Sequence, residues 1–319
     1  MCKLCNKTFS KNYACKRSTK LLLKDFLDGI SVRKLSNGTK GFTPTIVFCK
    51  LFNQVKLVPT NISITQHVCD MYKFSGKLVF DGTFFPVRPF DREIPLIWGI
   101  DYDTHDIPHS MLVSSENYVA CHKYFSDLKA INYPLKYLVC DDNTNIKLAA
   151  ASVFPGVVIQ TCLKHYLTNI INNLNIKSST KYQGFFGDVY DIVFRKKLCE
   201  IELAWAIQKI YPKYANDNTA MFWLTDIMVR RKELTNYHLF VNAPRTTNLI
   251  EAYNSHIKDR FDLFRGFKSF KHAKYWLNSY VVYRRLRPLK ACGKKFKYLN
   301  GKCSLENTLK FDQKLPNIF

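Results

Sequence analysis

Between Lys77 and Leu174 the chain changes its hydrophobic period in a fixed order, and that order limits the folds open to it. KLVFDGTFFPV, EIPLIWGIDYD and HSMLVSS are short runs of β-branched and aromatic residues, separated by Arg/Pro/Asp and Thr/His/Asp/Pro turns. They predict a meander of three antiparallel strands. ENYVACHKYFSDLKA then switches to a helical stripe of Tyr118, Cys121, Phe125 and Leu128. KYLVC, NIKLAAASVF, GVVIQTC and LKHYLTNIINNL follow as strand, helix, strand and helix. A chain that lays down three strands and then alternates helix with strand is committed to an α/β architecture on a mixed sheet.

This order, βββαβαβα, is that of the ribonuclease H-like fold, in which the first strand is central. That strand carries Asp81 inside LVF–TFF, where a buried carboxylate is costly unless a metal or partner compensates it. Asp81-Gly82 also reads as a bulge or turn signal. Asp141 and Asp142 stand where KYLVC ends, so one of them can cap the helix that follows while the other ligates. Glu251 falls in TTNLIEAYNSHIKDRF, three residues after Asn248, a spacing that also closes a capping box. On a helix there, Glu251, Asn254 and Lys258 share one face, and Ile250, Tyr253, Ile257 and Phe261 share the other. Asn254 and Lys258 are candidates to contact a substrate phosphate, or simply a solvated face. Carboxylates are hard oxygen ligands, and three of them from two strands and a helix suit two Mg²⁺ or Mn²⁺ ions about 3.5–4 Å apart for phosphoryl transfer.

The flanking segments point to DNA. LLLKDFLDG stops at Gly29, Ser31 caps VRKLS, and Thr43-Pro44 opens TIVFCKLFN, so residues 18–54 read as a helix-turn-helix region. Thr43, Thr45 and Lys50 are its candidates to face the DNA. Residues 1–17 form a basic arm in which Cys2-x-x-Cys5 and Cys15 offer a partial zinc-ribbon-like ligand set. Residues 70–172 read as the first part of the catalytic core, 173–244 as a helical insertion, and 245–319 as the last core helix with a basic, aromatic tail. Lys+Arg 48 against Asp+Glu 25 gives a net charge of +23, spread too widely to be one tail. The 11 cysteines are an odd, scattered set and predict reduced thiols. Cys162 and His165 stand one turn apart and can share a metal or support the acids structurally. No signal-peptide pattern and no run of about eighteen apolar residues is present, which predicts a soluble intracellular protein. The absence of a P-loop, a dinucleotide fingerprint or a Ser/His/Asp order leaves nucleotide-driven and acyl-transfer chemistry without support.

VFDGTFF, SSENYVACHKYFSDLK, LVCDDNTNIKLAAASVFPGVVIQTCLKH and TTNLIEAYNSHIK together resemble DDE transposases of the insertion-sequence type related to Mutator-like transposases, over about residues 2–305. The resemblance implies a catalytic and metal-binding triad of Asp81, Asp141 and Glu251, with Asp142, Cys162 and His165 as structural neighbours. It implies two Mg²⁺ or Mn²⁺ ions, Zn²⁺ at the amino terminus, and a homo-oligomer on double-stranded DNA that engages terminal inverted repeats and target DNA. A cytoplasmic, nucleoid-associated protein of a prokaryote follows from it. Where the family often has glycine after the second aspartate, this chain has Asp142, and the amino-terminal ribbon lacks its first ligand pair. A second reading is a catalytically inactive or domesticated relative that binds DNA alone; a third is a nuclease that cuts without joining.

Overall fold

The computed structural model describes residues 18–39, 42–88, 90–261 and 266–319, so Cys2, Cys5 and Cys15 lie outside the described residues. The chain enters through α1 (Thr19–Leu27), α2 (Val32–Asn37) and α3 (Pro44–Val55). Ser18, Ser31 and Thr43 each accept a backbone N–H in the first turn of the helix that follows, the capping expected of these residue types. Leu22, Leu23, Phe26, Leu35, Val47 and Leu51 are buried where these helices meet. A further helix, α4 (Asn61–Val68), starts behind Thr60. Its mixed, β-branched sequence gives no clear stripe, and its place comes from tertiary packing against the sheet.

The sheet contains β1 (Lys77–Phe85), β2 (Ile94–Asp101), β3 (His109–Leu112), β4 (Tyr137–Cys140) and β5 (Val158–Thr161) in the order β3-β2-β1-β4-β5. The β1–β2 and β2–β3 pairs are antiparallel; β1–β4 and β4–β5 are parallel. The parallel connections run through α5 (Tyr118–Ala130) and α6 (Thr144–Val153), which lie against each other. Strand alternation divides β1 between two layers. Phe80 packs on Tyr124 and Phe125 of α5, whereas Asp81 points to the opposite face. In α5 the buried stripe is Cys121, Tyr124, Phe125 and Leu128. Tyr118 stands at the exposed first turn instead, because the helix begins there and its phenol reaches out to Ser152.

Among the described residues two large hydrophobic cores form, beside a small cluster of Leu289, Phe296 and Leu299. The larger joins α1–α3, the sheet, α5, α6, α11 (Asn248–Phe261) and α12 (Phe270–Arg285). Within it Trp276 packs 4.9 Å from Phe26, and Phe52 packs 4.6 Å from His272, centroid to centroid. The basic, aromatic segment after Glu251 therefore carries a buried helix, with Trp276, Leu277, Val281 and Val282 facing inward. The smaller core belongs to α7 (Leu163–Asn173), α8 (Gln183–Tyr190), a π-turn over Asp191–Arg195, α9 (Glu200–Ile210) and α10 (Asn218–Thr235). Leu163, Tyr166 and Ile170 turn α7 toward that second core, so this helix ends the alternating run and begins the helical segment.

One buried ion pair fastens the two ends of the larger core. Arg285 of α12 is 1% exposed and forks onto Asp106 through Nε at 2.8 Å and Nη2 at 2.7 Å. Its Nη1 donates to Asn61 Oδ1 and Thr65 Oγ1 of α4, each at 2.8 Å. Thr308 and Ser304 donate to the same carboxylate, so each polar atom of the pair is engaged. Burial alone would raise Asp106; the guanidinium outweighs it and holds the carboxyl below its usual range.

Candidate active site

The register of the sheet brings the first two acids together. Lys77, Leu78 and Val79 of β1 pair with Tyr137, Leu138 and Val139 of β4, so the same register carried two residues further sets Asp81 beside Asp141. Neighbouring strands lie about 4.8 Å apart, and equivalent positions point to the same face. β4 ends at Cys140, leaving Asp141 at the carboxyl end of the parallel pair. Asp81, Asp141, Asp142, Asn143, His165 and Thr168 line a cleft of about 400 Å³ there.

Asp81 is held at both oxygens. Oδ1 accepts the Gly82 N–H at 2.9 Å, and Oδ2 accepts the Asn254 amide at 2.9 Å. Asn254 is itself oriented by Trp98, whose indole N–H donates to Asn254 Oδ1 at 2.8 Å. Trp98 is the cross-strand partner of Asp81 on β2, so both side chains rise from one face of the sheet and meet one amide of α11. Asn254 is thus a positioning residue for the first acid; its amide is engaged at both ends rather than presented to solvent. Lys258, one turn further, is exposed.

Glu251 occupies the first turn of α11, with its backbone N–H donating to Thr247. Its carboxylate accepts from Thr247 Oγ1 at 3.1 Å and from Lys164 Nζ, and His165 Nε2 stands 3.5 Å away. Cys162, His165 and Glu251 bring one ligand atom each within 4.8 Å of one another. The Cys162 sulfur also accepts from Thr247 N at 3.3 Å and Oγ1 at 3.2 Å, tying the start of α7 to the start of α11. Burial would push this thiol up, but His165 and Thr247 outweigh it and hold it below its usual value. The sulfur, followed by the Asp81 and Glu251 charges, pushes His165 up to about 9. These contacts make Cys162 and His165 the support beneath the third acid.

The paired aspartates separate by partner. Asp142 is taken by Arg230 of α10 through both guanidinium ends and by Lys147 at 2.7 Å. Burial opposes its charge, yet these cations hold the carboxyl below the usual range. Lys147 and Arg230 also engage Glu233, at 2.6 Å and 2.8 Å, so the network joins the helical segment to the strand end. Among the described residues Asp141 accepts only the Asn143 N–H, at 3.3 Å, and burial raises it. The helix cap falls to neither aspartate, since the Asn143 side chain takes the Asn145 N–H at 2.9 Å.

Glu116, to which the sequence gives no role, is a further carboxylate near Asp141 and Asp81. Its Oε1 is buried without a hydrogen-bond partner among the described residues. A Cβ built on Gly82 would lie 2.7 Å from that oxygen, so glycine after Asp81 is what lets Glu116 approach. Burial, followed by the charges of Asp141 and Asp81, pushes it up to about 7. Burial and the Asp141 charge likewise push Asp81 up to about 6. The available signal was an acid between the third strand and the Asn117 cap of α5. It carries no periodicity, so only the folded sheet reveals its neighbours.

Among the candidates to face DNA, Thr43, Thr45 and Lys50 are all exposed on α3. Thr43 spends its hydroxyl on the Ile46 N–H, and Lys50 lies over the Phe42 ring at 4.2 Å. None of the helices among the described residues is long and apolar enough to cross a membrane.

A family model described as "Transposase, Mutator family" matches residues 65–276, about two thirds of the chain. The match includes Asp81, Asp141 and Glu251 and begins after α3. Among curated proteins none matches the chain.

Proposed function

This chain belongs to the Mutator family of transposases, and from that membership we propose that it binds double-stranded DNA and performs metal-dependent strand cleavage and strand transfer at Asp81, Asp141 and Glu251. The observation that carries this reading is the register of β1 and β4, which sets two aspartates side by side, with the Glu251 charge felt at Asp81 from α11. The strand order, antiparallel from β1 to β3 and parallel from β1 to β5, supports a ribonuclease H-like sheet. The three capped helices at the amino end, with an exposed α3 face, support a helix-turn-helix that engages the terminal repeats.

The donor set fits hard divalent ions. It is made of carboxylate oxygens, it includes a buried Glu116 oxygen with no partner among the described residues, and it crowds negative charge enough to raise Asp81 and Glu116. Two Mg²⁺ or Mn²⁺ ions, when bound, supply Lewis-acid activation of the attacking hydroxyl and stabilisation of the leaving oxygen. Asp81 and Asp141 would hold them from the strand ends and Glu251 from the helix. Asn254 keeps Asp81 in one rotamer, and the Thr247–Cys162 contact fixes the turn from which Glu251 projects. Water attack cuts the strand at the element end, and the freed 3′-hydroxyl then attacks target DNA in the same cleft. Orienting the reactants is the protein's main contribution to both steps. The family implies a homo-oligomer on the DNA.

The test is incubation of the purified chain with Mg²⁺ and a DNA end carrying its neighbouring inverted repeat, beside Asp81→Asn and Glu251→Gln. Nicking and joining by the unaltered chain, lost in both variants, is the expected result. Binding without nicking overturns the enzyme reading, and full activity in both variants overturns the metal assignment.

A further inference from the structure

A second polar cavity lies apart from the acids. It measures about 470 Å³ and opens between the end of α1, the last turn of α11 and the end of α12. Arg260, Arg284, Arg287, Lys290 and His256 line it, together with Asp28 and Asp259. Asp28 is used by Arg287 at 2.7 Å, and Asp259 stands exposed at the rim.

Arg260 is the unusual member. It is 6% exposed, and its Nε and Nη2 are buried with no hydrogen-bond partner among the described residues. Its guanidinium carbon lies 3.7 Å from the centroid of the Phe26 ring. Stacking on a ring face leaves the in-plane N–H donors unspent. Arg284 repeats the arrangement, with its guanidinium 5.0 Å from the Tyr253 ring centroid and a buried Nε without a partner among the described residues. Buried guanidinium donors normally find an acceptor, because leaving them unmet is costly. Two such groups on one cavity wall describe a receptor for an oxyanion.

We propose that this cavity binds a backbone phosphodiester of DNA, held by Arg260 and Arg284 with Lys290 and Arg287 at its margin. The proposal rests on the DNA-binding part of the reading above. On α11, Arg260 lies nine residues beyond Glu251, which places it about 14 Å along the axis and on the opposite face of the helix. The phosphate held here is therefore an anchoring one, outside the cleft where the strand is cut. The volume accommodates a sugar-phosphate unit rather than a bare ion, and the widespread charge of +23 favours a polyanion over a single free phosphate.

The test uses the full chain and a fluorescent AT-rich duplex, with dissociation constants followed by anisotropy across a salt series. Arg260→Met keeps a long side chain over Phe26 but removes the donors; Lys290→Glu alters an exposed rim position and serves if the first variant folds poorly. Each is expected to weaken binding about 5- to 10-fold and to lower the salt slope by about 1, the signature of a lost phosphate contact. Mn²⁺ binding by the acid cleft is expected to stay unchanged. Unchanged affinity and slope in folded variants overturn the proposal. Binding of inorganic phosphate or a mononucleotide that depends on Arg260, with no Arg260 effect on DNA, overturns the DNA source. Arg260-dependent DNA binding by a chain that never cuts leaves the pocket standing and defeats only the catalytic reading.

Discussion

Arg230 of α10 grips both carboxylate oxygens of Asp142, the residue immediately after Asp141. This contact gives Asp142 a cationic partner and ties the helical segment to the end of β4. Asp142→Asn is expected to keep divalent-metal binding within about threefold while lowering stability by about 1–3 kcal/mol, because Arg230 and Lys147 lose a charged partner. Asp141→Asn is expected to abolish metal binding with little loss of stability. Calorimetric titration with Mn²⁺ and urea unfolding of both variants check this, and the reverse pattern would move the second acid to Asp142.

Asn254 joins Trp98 to Asp81. Its replacement by alanine leaves a buried indole N–H and one oxygen of the first acid unpartnered. DNA cleavage is expected to fall about 10- to 100-fold, the usual scale for removing a group that orients a metal ligand. DNA affinity is expected to stay near that of the unaltered chain. Parallel cleavage and anisotropy measurements separate this from a phosphate-contact role, in which affinity would fall along with activity.

The crowded acids give the metal-free protein a pH signature. Asp81 moves from 3.8 to about 6 and Glu116 from 4.5 to about 7, both raised on folding. Between those limits the folded chain binds more protons than the unfolded one, so their stabilising contribution is present at low pH and is lost as pH rises through about 6 to 7. In EDTA, Asp81→Asn and Glu116→Gln are each expected to melt a few degrees above the unaltered chain at pH 8, on the order of 1 kcal/mol each. The difference is expected to shrink as pH falls through that window and to vanish below about pH 4, and Mg²⁺ at pH 8 is expected to stabilise mainly the unaltered chain. A difference that does not vary with pH would contradict the crowding.

Breaking the buried Arg285–Asp106 pair is expected to be the costliest single change outside the active cleft. Arg285→Met leaves Asp106 charged, 0% exposed and without its cation, a loss of about 3–5 kcal/mol in urea unfolding. Replacing both members together by apolar residues is expected to recover much of that loss.

Period and capping carried the reading of the sheet and of the amino-terminal helices, because these signals are local. Ser31 and Thr43-Pro44 mark helix starts in sequence and in structure alike, and the apolar, β-branched and aromatic runs in VFDGTFF and IPLIWGI form β1 and β2. Contacts between distant residues were not legible. Nothing near Asp142 announces Arg230, and nothing near Gly82 announces Glu116. Tyr118 has the right spacing for a stripe, but it sits at the first turn, where solvent is available, and Tyr124 takes the buried place. The tail after Glu251 reads as basic and aromatic, and composition alone does not show that α12 hides its apolar face against α1 and α3.

The claim that strand ends and a helix combine into one metal site is open to direct mapping. Fe²⁺ with ascorbate, bound in place of Mg²⁺, generates hydroxyl radicals that cut the polypeptide near the metal. Cleavage is expected at three places, around Asp81, Asp141 and Glu251, suppressed by excess Mg²⁺ and lost together in Asp81→Asn. Cleavage at none of these positions, or cleavage that persists unchanged in Asp81→Asn, would contradict a shared metal site.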